Sequence, residues 1–328
     1  MNAQEAKKLE NKIIKTLSKN LKKKDSVILG ISGGPDSMLL LYFFEKFQQK
    51  VPIKIIVAHI NHKIRKKEAD LDEKFVKKYV ENFNNKDVIF HATKRDIAKL
   101  SQKNKKGLEE MGRKIRYEFF ATLQKKYSAK FIVTAHHADD NIETIILNLT
   151  RGANLQGLSG MQLLTPTLLR PLIDITKKQI LEYLKLKDIP FKIDKSNNSK
   201  IYTRNKIRHD IIPELTKLNP SLAKTIAKNA TLMREANHFI ETKAKSYLKT
   251  QTLTSLDAKS FRKLHPTLQK AVLRELYKQK IGNTKNLENT HIEEAVTLIN
   301  ANIGNKKKKF GKLSLHLNAN KVKVNIAF

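Results

Sequence analysis

The 328-residue chain contains no cysteine. That one absence removes disulfides, zinc–thiolate sites, iron–sulfur clusters and a catalytic thiol from the chemistry open to it. It also suits a reducing, cytoplasmic setting. Glycine and proline are sparse, at 11 and 8 residues, while apolar residues make up 40%, so the composition is that of a folded chain and not a disordered one. No apolar run approaches the roughly 20 residues of a membrane-spanning helix. The N-terminal MNAQEAKKLENKIIKTL lacks the apolar stretch of a signal peptide, so no membrane partner is expected. Acidic residues are scarce as well: 31 Asp and Glu stand against 65 Lys and Arg, a formal net charge of +34. An excess of that size calls for a polyanionic partner, most often nucleic acid. Many of the lysines stand in scattered pairs, the pattern of an ordinary solvated surface.

What is present divides into two parts. Residues 4–22 carry Leu9, Ile13, Ile14, Leu17 and Leu21 at helical spacing. Four short apolar runs, SVILGI (26–31), IKIIVAHI (53–60), DVIFHAT (87–93) and KFIVTA (130–135), read as strands. Between and after them, residues 37–47, 69–83, 107–126 and 139–150 read as helices. Strands that are nearly all apolar, alternating with helices, predict an α/β fold: a doubly wound, mostly parallel sheet covered on both faces. Such sheets take ligands beyond the carboxyl ends of their strands. From about residue 215 helical patterns dominate, at 221–248, 257–280 and 290–300, the last opening on a Thr290-x-x-Glu293 capping box. The tail alternates Leu313, Leu315, Leu317 and then Val322, Val324, Ile326, Phe328 around Asn318-Ala319-Asn320, a C-terminal β-hairpin pattern preceded by Lys306 to Lys309. The expected division is a catalytic domain over 1–215 and a smaller helical domain over 216–328.

Ser32-Gly33-Gly34-Pro35-Asp36-Ser37 follows the first strand and opens a helix. Glycines there let the backbone approach a ligand, and the unpaired N–H groups of a helix start attract anions. The string is not a Walker A loop, having no Gly-Lys-Ser/Thr, nor Gly-x-Gly-x-x-Gly, since Ser32 stands where a glycine is needed. An ordinary strand–helix turn, with Asp36 favouring the helix dipole, is the plainer alternative. Three further groups carry chemistry. Arg113 and Arg116 share a helical face beside Tyr117, with Glu109 placed to pair with Arg113. Asp139, Asp140 and Glu143 open the helix after the fourth strand and converge at i,i+3 and i,i+4; the preceding His136 and His137 leave a metal cluster open as a rival reading. Arg204, Asn205 and Arg208 form a compact set, and Arg151 and Arg170 are further cations for a polyanion.

The Ser32–Ser37 string resembles the SGGxDS signature of the PP-loop ATP pyrophosphatases. The resemblance implies a bound ATP cleaved between its α- and β-phosphates, with the turn gripping the outer phosphates and Asp36 helping to hold Mg2+. Further stretches extend it: VAHINHKIR (57–65), GLEEMGRKIRYEFF (107–120), TAHHADDNIET (134–144), RGANLQGLSGM (151–161), LRPLI (169–173) and DKSNNSKIYTRNKIR (194–208). In this order they resemble the tRNA(Ile)-lysidine synthetases over roughly residues 24–215. Gly112 stands where the family usually has Ala, weakening that helix by about 1 kcal/mol, and Asn154 where it usually has Gly. The resemblance implies ligation of L-lysine to C2 of the wobble cytidine of a tRNA(Ile) with a CAU anticodon, through an O2-adenylated intermediate. It places Ala58 and His59 at the nucleotide, although His59 is equally readable as a core histidine. Arg113 becomes the cation for the transition state, and Asp139, Asp140 and Glu143 become the ligands of the substrate lysine, with Arg208 for its carboxylate. Arg116, Arg151, Arg204, Asn205 and Arg208 become contacts to tRNA. A homodimer is implied too, and the chain is shorter than members with a further C-terminal domain. Two rivals are a different PP-loop tRNA-modifying or amidating enzyme and a non-catalytic basic RNA-binding protein. The thiolases among the first depend on cysteines that this chain lacks, and the second would have no use for the paired carboxylates and Asp36.

Overall fold

The structure, a computed structural model, describes residues 1–63, 67–193, 203–252, 254–284, 287–318 and 321–326. Ile64 and Arg65 of the second-strand motif, residues 194–202, Ala319, Asn320 and Phe328 lie outside them. The described residues form two compact units, Met1–Ala230 and Thr231–Phe328.

The first unit begins with α1 (Ala3–Asn20), closed by a capping box in which the Asn2 side chain accepts from the Glu5 N–H and Glu5 accepts in return. Then follow β1 (Ser26–Gly30), α2 (Pro35–Gln48), β2 (Lys54–Asn61), α3 (Lys67–Glu81), β3 (Val88–Lys94), α4 (Ile97–Asn104), α5 (Leu108–Lys126), β4 (Phe131–Val133) and α6 (Ala138–Thr150). After these come α7 (Leu155–Leu158), β5 (Leu168–Leu169), α8 (Lys177–Leu186), α9 (Thr203–Lys206), a π-helical turn (Ile207–Ile211) and α10 (Ile212–Leu218). The five strands are parallel throughout, in the order β3-β2-β1-β4-β5. Leu29 of β1 pairs with Val57 on one side and Val133 on the other.

Alternation along β1 explains the two layers. Val27 and Leu29 face a core shared with α1, α2 and α8, while Ile28 faces a second core with Phe120 and Leu123 of α5. Both faces are covered, so β1 is apolar at every interior position. α2 is buried nearly all round, with Leu39, Leu40, Phe43, Phe44 and Phe47 almost inaccessible. Burial of such side chains contributes about 1.5–3 kcal/mol apiece and anchors the turn at its head. The strand order reverses between β1 and β4, so the segments leaving them meet at the carboxyl edge.

Three elements carry weak sequence signals. α4 is eight residues long, and β5 is only two. α8 has a readable cap, Thr176 with Gln179, but its apolar stripe is short.

The second unit is helical and ends in antiparallel strands, as expected, and differs in the bounds of its helices. α11 (Leu222–Lys249), which contains the division between units, precedes β6 (Ser255–Asp257), α12 (Ala258–Arg262), α13 (Pro266–Ile281), α14 (Asn289–Asn300), β7 (Lys306–Phe310), β8 (Leu313–Asn318) and β9 (Lys321–Ile326). The helix expected over 257–280 is two helices, because Pro266 has no N–H to continue the ladder and instead starts α13 behind the His265 cap. α14 opens two residues ahead of the expected Thr290 cap: Glu288 occupies that position, its N–H donating to His291 Nδ1 at 3.3 Å. The β8–β9 hairpin is present, as half of a four-stranded antiparallel sheet in the order β6-β9-β8-β7. The lysine run Lys306–Lys309 is its edge strand, a composition that discourages further pairing. Leu313, Leu315, Leu317, Val322 and Val324 line the buried face with Leu276 and Tyr277 of α13.

Gly30 tests the inner packing. A Cβ at this position would lie 2.6 Å from Phe120 Cζ, and Phe120 is itself buried. Gly30→Ala is therefore expected to lower the thermal midpoint, with a loss of about 1–3 kcal/mol from overpacking. An unchanged melt would mean that α5 is free to shift away from β1.

Candidate active site

The site is built from two segments that leave β1 and β4. After Gly30, the Ile31 N–H still reaches the Ala58 carbonyl at 3.0 Å, and the chain then turns. Gly33 has φ +92°, a left-handed conformation that side chains resist. Gly34 caps α2, and Pro35 supplies the preset first helical residue. Inside the turn Ser37 Oγ accepts from the N–H groups of Ser32 and Gly33 at 3.2 and 3.1 Å and donates to the Gly34 carbonyl at 2.9 Å. Ser32 Oγ accepts from the Gly34 N–H at 3.3 Å. Three main-chain donors thus converge on two hydroxyl oxygens. These are long neutral bonds, and an anionic oxygen offered to the same donors binds about twice as strongly. The Asp36 and Ser37 N–H groups at the helix start have no intrahelical acceptor by geometry. The plain-turn reading therefore describes the hydrogen bonds of the turn, in which the Ser32, Gly33 and Gly34 N–H groups are satisfied by its own hydroxyls.

Ala58 lies buried in β2 under the turn. His59 is buried as well, its Nδ1 bonded to the Ile31 carbonyl at 2.9 Å. Burial, only partly opposed by that bond, holds its imidazole below the usual histidine range. His59 supports the turn from beneath, which favours the core reading of this residue.

The second segment runs from β4 through His136 and His137 into α6. The two histidines diverge. His136 bonds Thr134 Oγ1 at 2.7 Å; burial, with Arg170, Arg113 and Arg116 nearby, takes it down to about 4 against the pull of Asp140. His137 is buried too, which alone would lower it, but the carboxylate of Asp139 beside its Nδ1 and the charges of Asp140 and Asp36 raise it. Its Nδ1 lies 3.4 Å from Asp139; its Nε2 lies 3.4 Å from Asp140 and 3.8 Å from Asp36. Asp140 also accepts the His137 N–H at 3.0 Å, so it caps α6. Asp139 accepts the Lys177 N–H at 2.8 Å, and Lys177 Nζ pairs with Asp36.

Glu143 is fully buried and is held by Arg208 through both carboxylate oxygens, Oε2 receiving Nη2 at 3.0 Å. Burial pushes its carboxyl up, and the Arg208 pair opposes this. Arg208 also reaches Asp140 at 3.4 Å. The π-helical turn at Ile207–Ile211 carries Arg208, a common device for aiming a functional side chain. Arg204 in α9 bonds Glu109 at 2.7 Å, so Glu109 does not serve Arg113. Asn205 follows in the same turn of helix. Arg113 is exposed, with its guanidinium 5.0 Å from the centre of the Tyr117 ring. Arg116 lies deeper, and burial lowers it. Arg170 is buried and donates to the Gln162 carbonyl at 2.8 Å. Arg151 is exposed at the end of α6.

The rival metal cluster does not form. No group of three His, Asp or Glu side chains among the described residues is arranged to hold an ion; His136 turns to Thr134 and Glu143 to Arg208. A magnesium ion carried by a nucleotide makes a lighter demand, one or two carboxylates beside phosphate oxygens. Asp36 and Asp140, whose Oδ2 atoms both face His137 Nε2, fit that demand.

A model of the PP-loop domain family matches residues 4–215. The tRNA(Ile)-lysidine synthase of Petrotoga mobilis is 38% identical over 226 residues, 68% of this chain and 71% of that protein. The chain belongs to the PP-loop tRNA(Ile)-lysidine synthase family. Other members of that name include those of Clostridium tetani, 35% identical over 291 residues, and Clostridioides difficile, 32% identical over 298 residues. These alignments cover 87% and 88% of this chain, and the chain spans 62% and 64% of their lengths. Among solved structures the U34-tRNA thiolase NcsA of Methanococcus maripaludis, with its 4Fe-4S cluster, is similar at a TM-score of 0.58 and 20% identity, covering 70% of this chain and 78% of that one. That likeness supports the PP-loop fold. No helix among the described residues is long and apolar enough to cross a membrane.

Within this PP-loop site the Arg208–Glu143 pair has a measurable signature. Arg208→Met leaves the buried Glu143 with only the longer Arg204 Nε contact at 3.7 Å, an expected loss toward the lower end of about 3–5 kcal/mol near neutral pH. A carboxyl raised in the folded state stabilises fully below its unfolded value, near 4.5, and loses that contribution as pH rises through the folded value. The deficit of the variant should therefore shrink as pH falls from 7 to 5, and Glu143→Gln in the same chain should remove its pH dependence. Thermal midpoints across that range test both; a deficit independent of pH would show that the Glu143 carboxylate stays hydrated without Arg208.

Proposed function

We propose that the chain joins free L-lysine, through its ε-amine, to C2 of the wobble cytidine of a tRNA(Ile) bearing the CAU anticodon, converting ATP to AMP and pyrophosphate. The observation that carries this reading is the meeting of the Ser32–Ser37 cradle with the Asp139–Asp140–Glu143 cluster at one sheet edge, in a chain of this family. Oxygen on C2 is a poor leaving group. Attack of O2 on the α-phosphorus releases pyrophosphate and turns that oxygen into part of AMP; the amine then adds at C2 and AMP departs.

The residues divide this work by their chemistry. The donors of Ser32, Gly33, Gly34 and Ser37, behind Pro35, hold the outer phosphates as the leaving group. Mg2+, held by Asp36 with Asp140 beside it, would neutralise phosphate charge when bound. Arg113, on the exposed face of α5, meets charge developing at the α-phosphate, and Arg116 lies behind it. Asp139 and Asp140 attract the ammonium of the incoming lysine, and Asp140 accepts the proton lost on addition. Glu143 fixes the Arg208 fork, which suits the lysine carboxylate. Arg151, Arg204 and Asn205 edge the site toward tRNA, and the +34 charge draws the polyanion in.

Pyrophosphate release, with tRNA(Ile) transcript, lysine and ATP·Mg2+ each omitted in turn, is the direct test. Asp36→Asn is expected to cut release by about 10²-fold or more while filter-retained tRNA changes little; normal turnover would remove the turn from the reaction. Asp140→Asn should raise the KM for lysine more than that for ATP, whereas equal increases would reduce Asp140 to a helix cap. The tRNA affinity should fall steeply between about 50 and 200 mM salt, and a flat response would mean that the positive charge is merely solvated.

A further inference from the structure

Lys177 connects the two halves of the site, and nothing in the reaction outlined above uses it. Its main-chain N–H donates to Asp139 at 2.8 Å, and its ammonium pairs with Asp36. The backbone at this point is fixed by other means. Thr176 caps α8, with its N–H on Gln179 Oε1 at 3.0 Å, and the Ile175 carbonyl accepts the Ala138 N–H at 2.9 Å. Ile180, Tyr183 and Leu184 of α8 are wholly buried. The side chain is a contrast: it is 35% exposed and lies along the surface of the site. Lys177 is thus a flexible ammonium on an immobile post. Its neighbour Lys178 pairs with Glu182 on α8 itself.

The position of that ammonium decides what it can do. Asp36 stands at the start of α2, where the cradle offers its donors and where a carboxylate alone would repel a triphosphate. The ammonium offsets that charge in the resting chain. A divalent cation arriving with the nucleotide would take up the Asp36 carboxylate, whose Oδ1 holds the ammonium in the resting chain and whose Oδ2 faces His137, and the ammonium so released stays beside the helix start where the cradle offers its donors. A lysine suits such an exchange, being a compact charge on four rotatable bonds. We propose that Lys177 is a ligand of the outer phosphates of the nucleotide, held on Asp36 until nucleotide and divalent cation bind. One ion pair breaks and another forms, with no covalent change. The proposal rests on the ATP reading of the cradle.

Isothermal titration of the full chain with α,β-methylene-ATP and Mg2+ tests it, with adenosine as the probe of base contacts. Lys177→Met and Lys177→Gln are expected to weaken the analogue by about tenfold or more, the scale of one charge-assisted contact. Adenosine affinity should be unchanged, and Lys177→Arg should restore most of the loss. Circular dichroism melts identify which variants fold, and the glutamine variant keeps a hydrogen bond to Asp36 if the methionine variant does not. Unchanged analogue binding in a folded variant would overturn the proposal and leave Lys177 as a tie between α8 and the turn. Tighter binding would overturn it also, since the ammonium would then only compete with Mg2+. Failure of the unsubstituted chain to bind the analogue would overturn the ATP reading itself, and this proposal with it.

Discussion

β1 and β4 lie side by side in the same direction, Leu29 paired with Val133, and that pairing sets the positions of Asp36, Asp139, Asp140 and Glu143. Each strand releases its chain at the same edge. One segment becomes the Gly-rich turn and α2, the other the two histidines and α6. The starts of two helices therefore face one small volume. A helix start presents unpaired N–H groups and a positive dipole end, so the same geometry favours phosphates at one segment and carboxylates at the other. The buried α2 and the apolar strands make this arrangement rigid, while the polar groups at its edge remain adjustable.

The electrostatics follow from crowding acids into a basic chain. Asp36, Asp139 and Asp140 surround His137 and raise its proton affinity, whereas His136, one residue away but beside three arginines, loses its own. Glu143 is buried and takes a two-pronged arginine; Asp36 is half-exposed and takes a flexible lysine. The two pairs differ in kind. The first is a fixed support whose rupture strands a charge away from water. The second is exposed to solvent and therefore easily exchanged.

Part of this was legible in the residues. The four apolar runs became four neighbouring parallel strands, and the Ser32–Ser37 string fell at the head of a helix as its glycines and proline required. Asp140 and Glu143, three residues apart on one helix, share Arg208, a closeness that helical spacing allows. Where the reading failed, local signals were short or overruled. β5 has two residues, too few for any alternation to register. The helix expected through 257–280 ignored what Pro266 does to a ladder, and the lysines at 306–309, placed only ahead of the hairpin, are paired with β8 as the edge strand of its sheet.

The sequence by itself determined the element types, the glycine-rich turn at a helix head and the list of chemistry-bearing side chains, because each depends on residues within about one or two turns of each other. Only the tertiary structure decided who pairs with whom. Glu109 went to Arg204, 95 residues away, not to Arg113 four residues along; Glu143 went to Arg208 across 65 residues, and Asp36 to Lys177 across 141. Spacing along one helix reveals neighbours on that helix. It carries no information about a side chain that the reversal of strand order, the cap of α8 or a π-helical turn brings in from elsewhere.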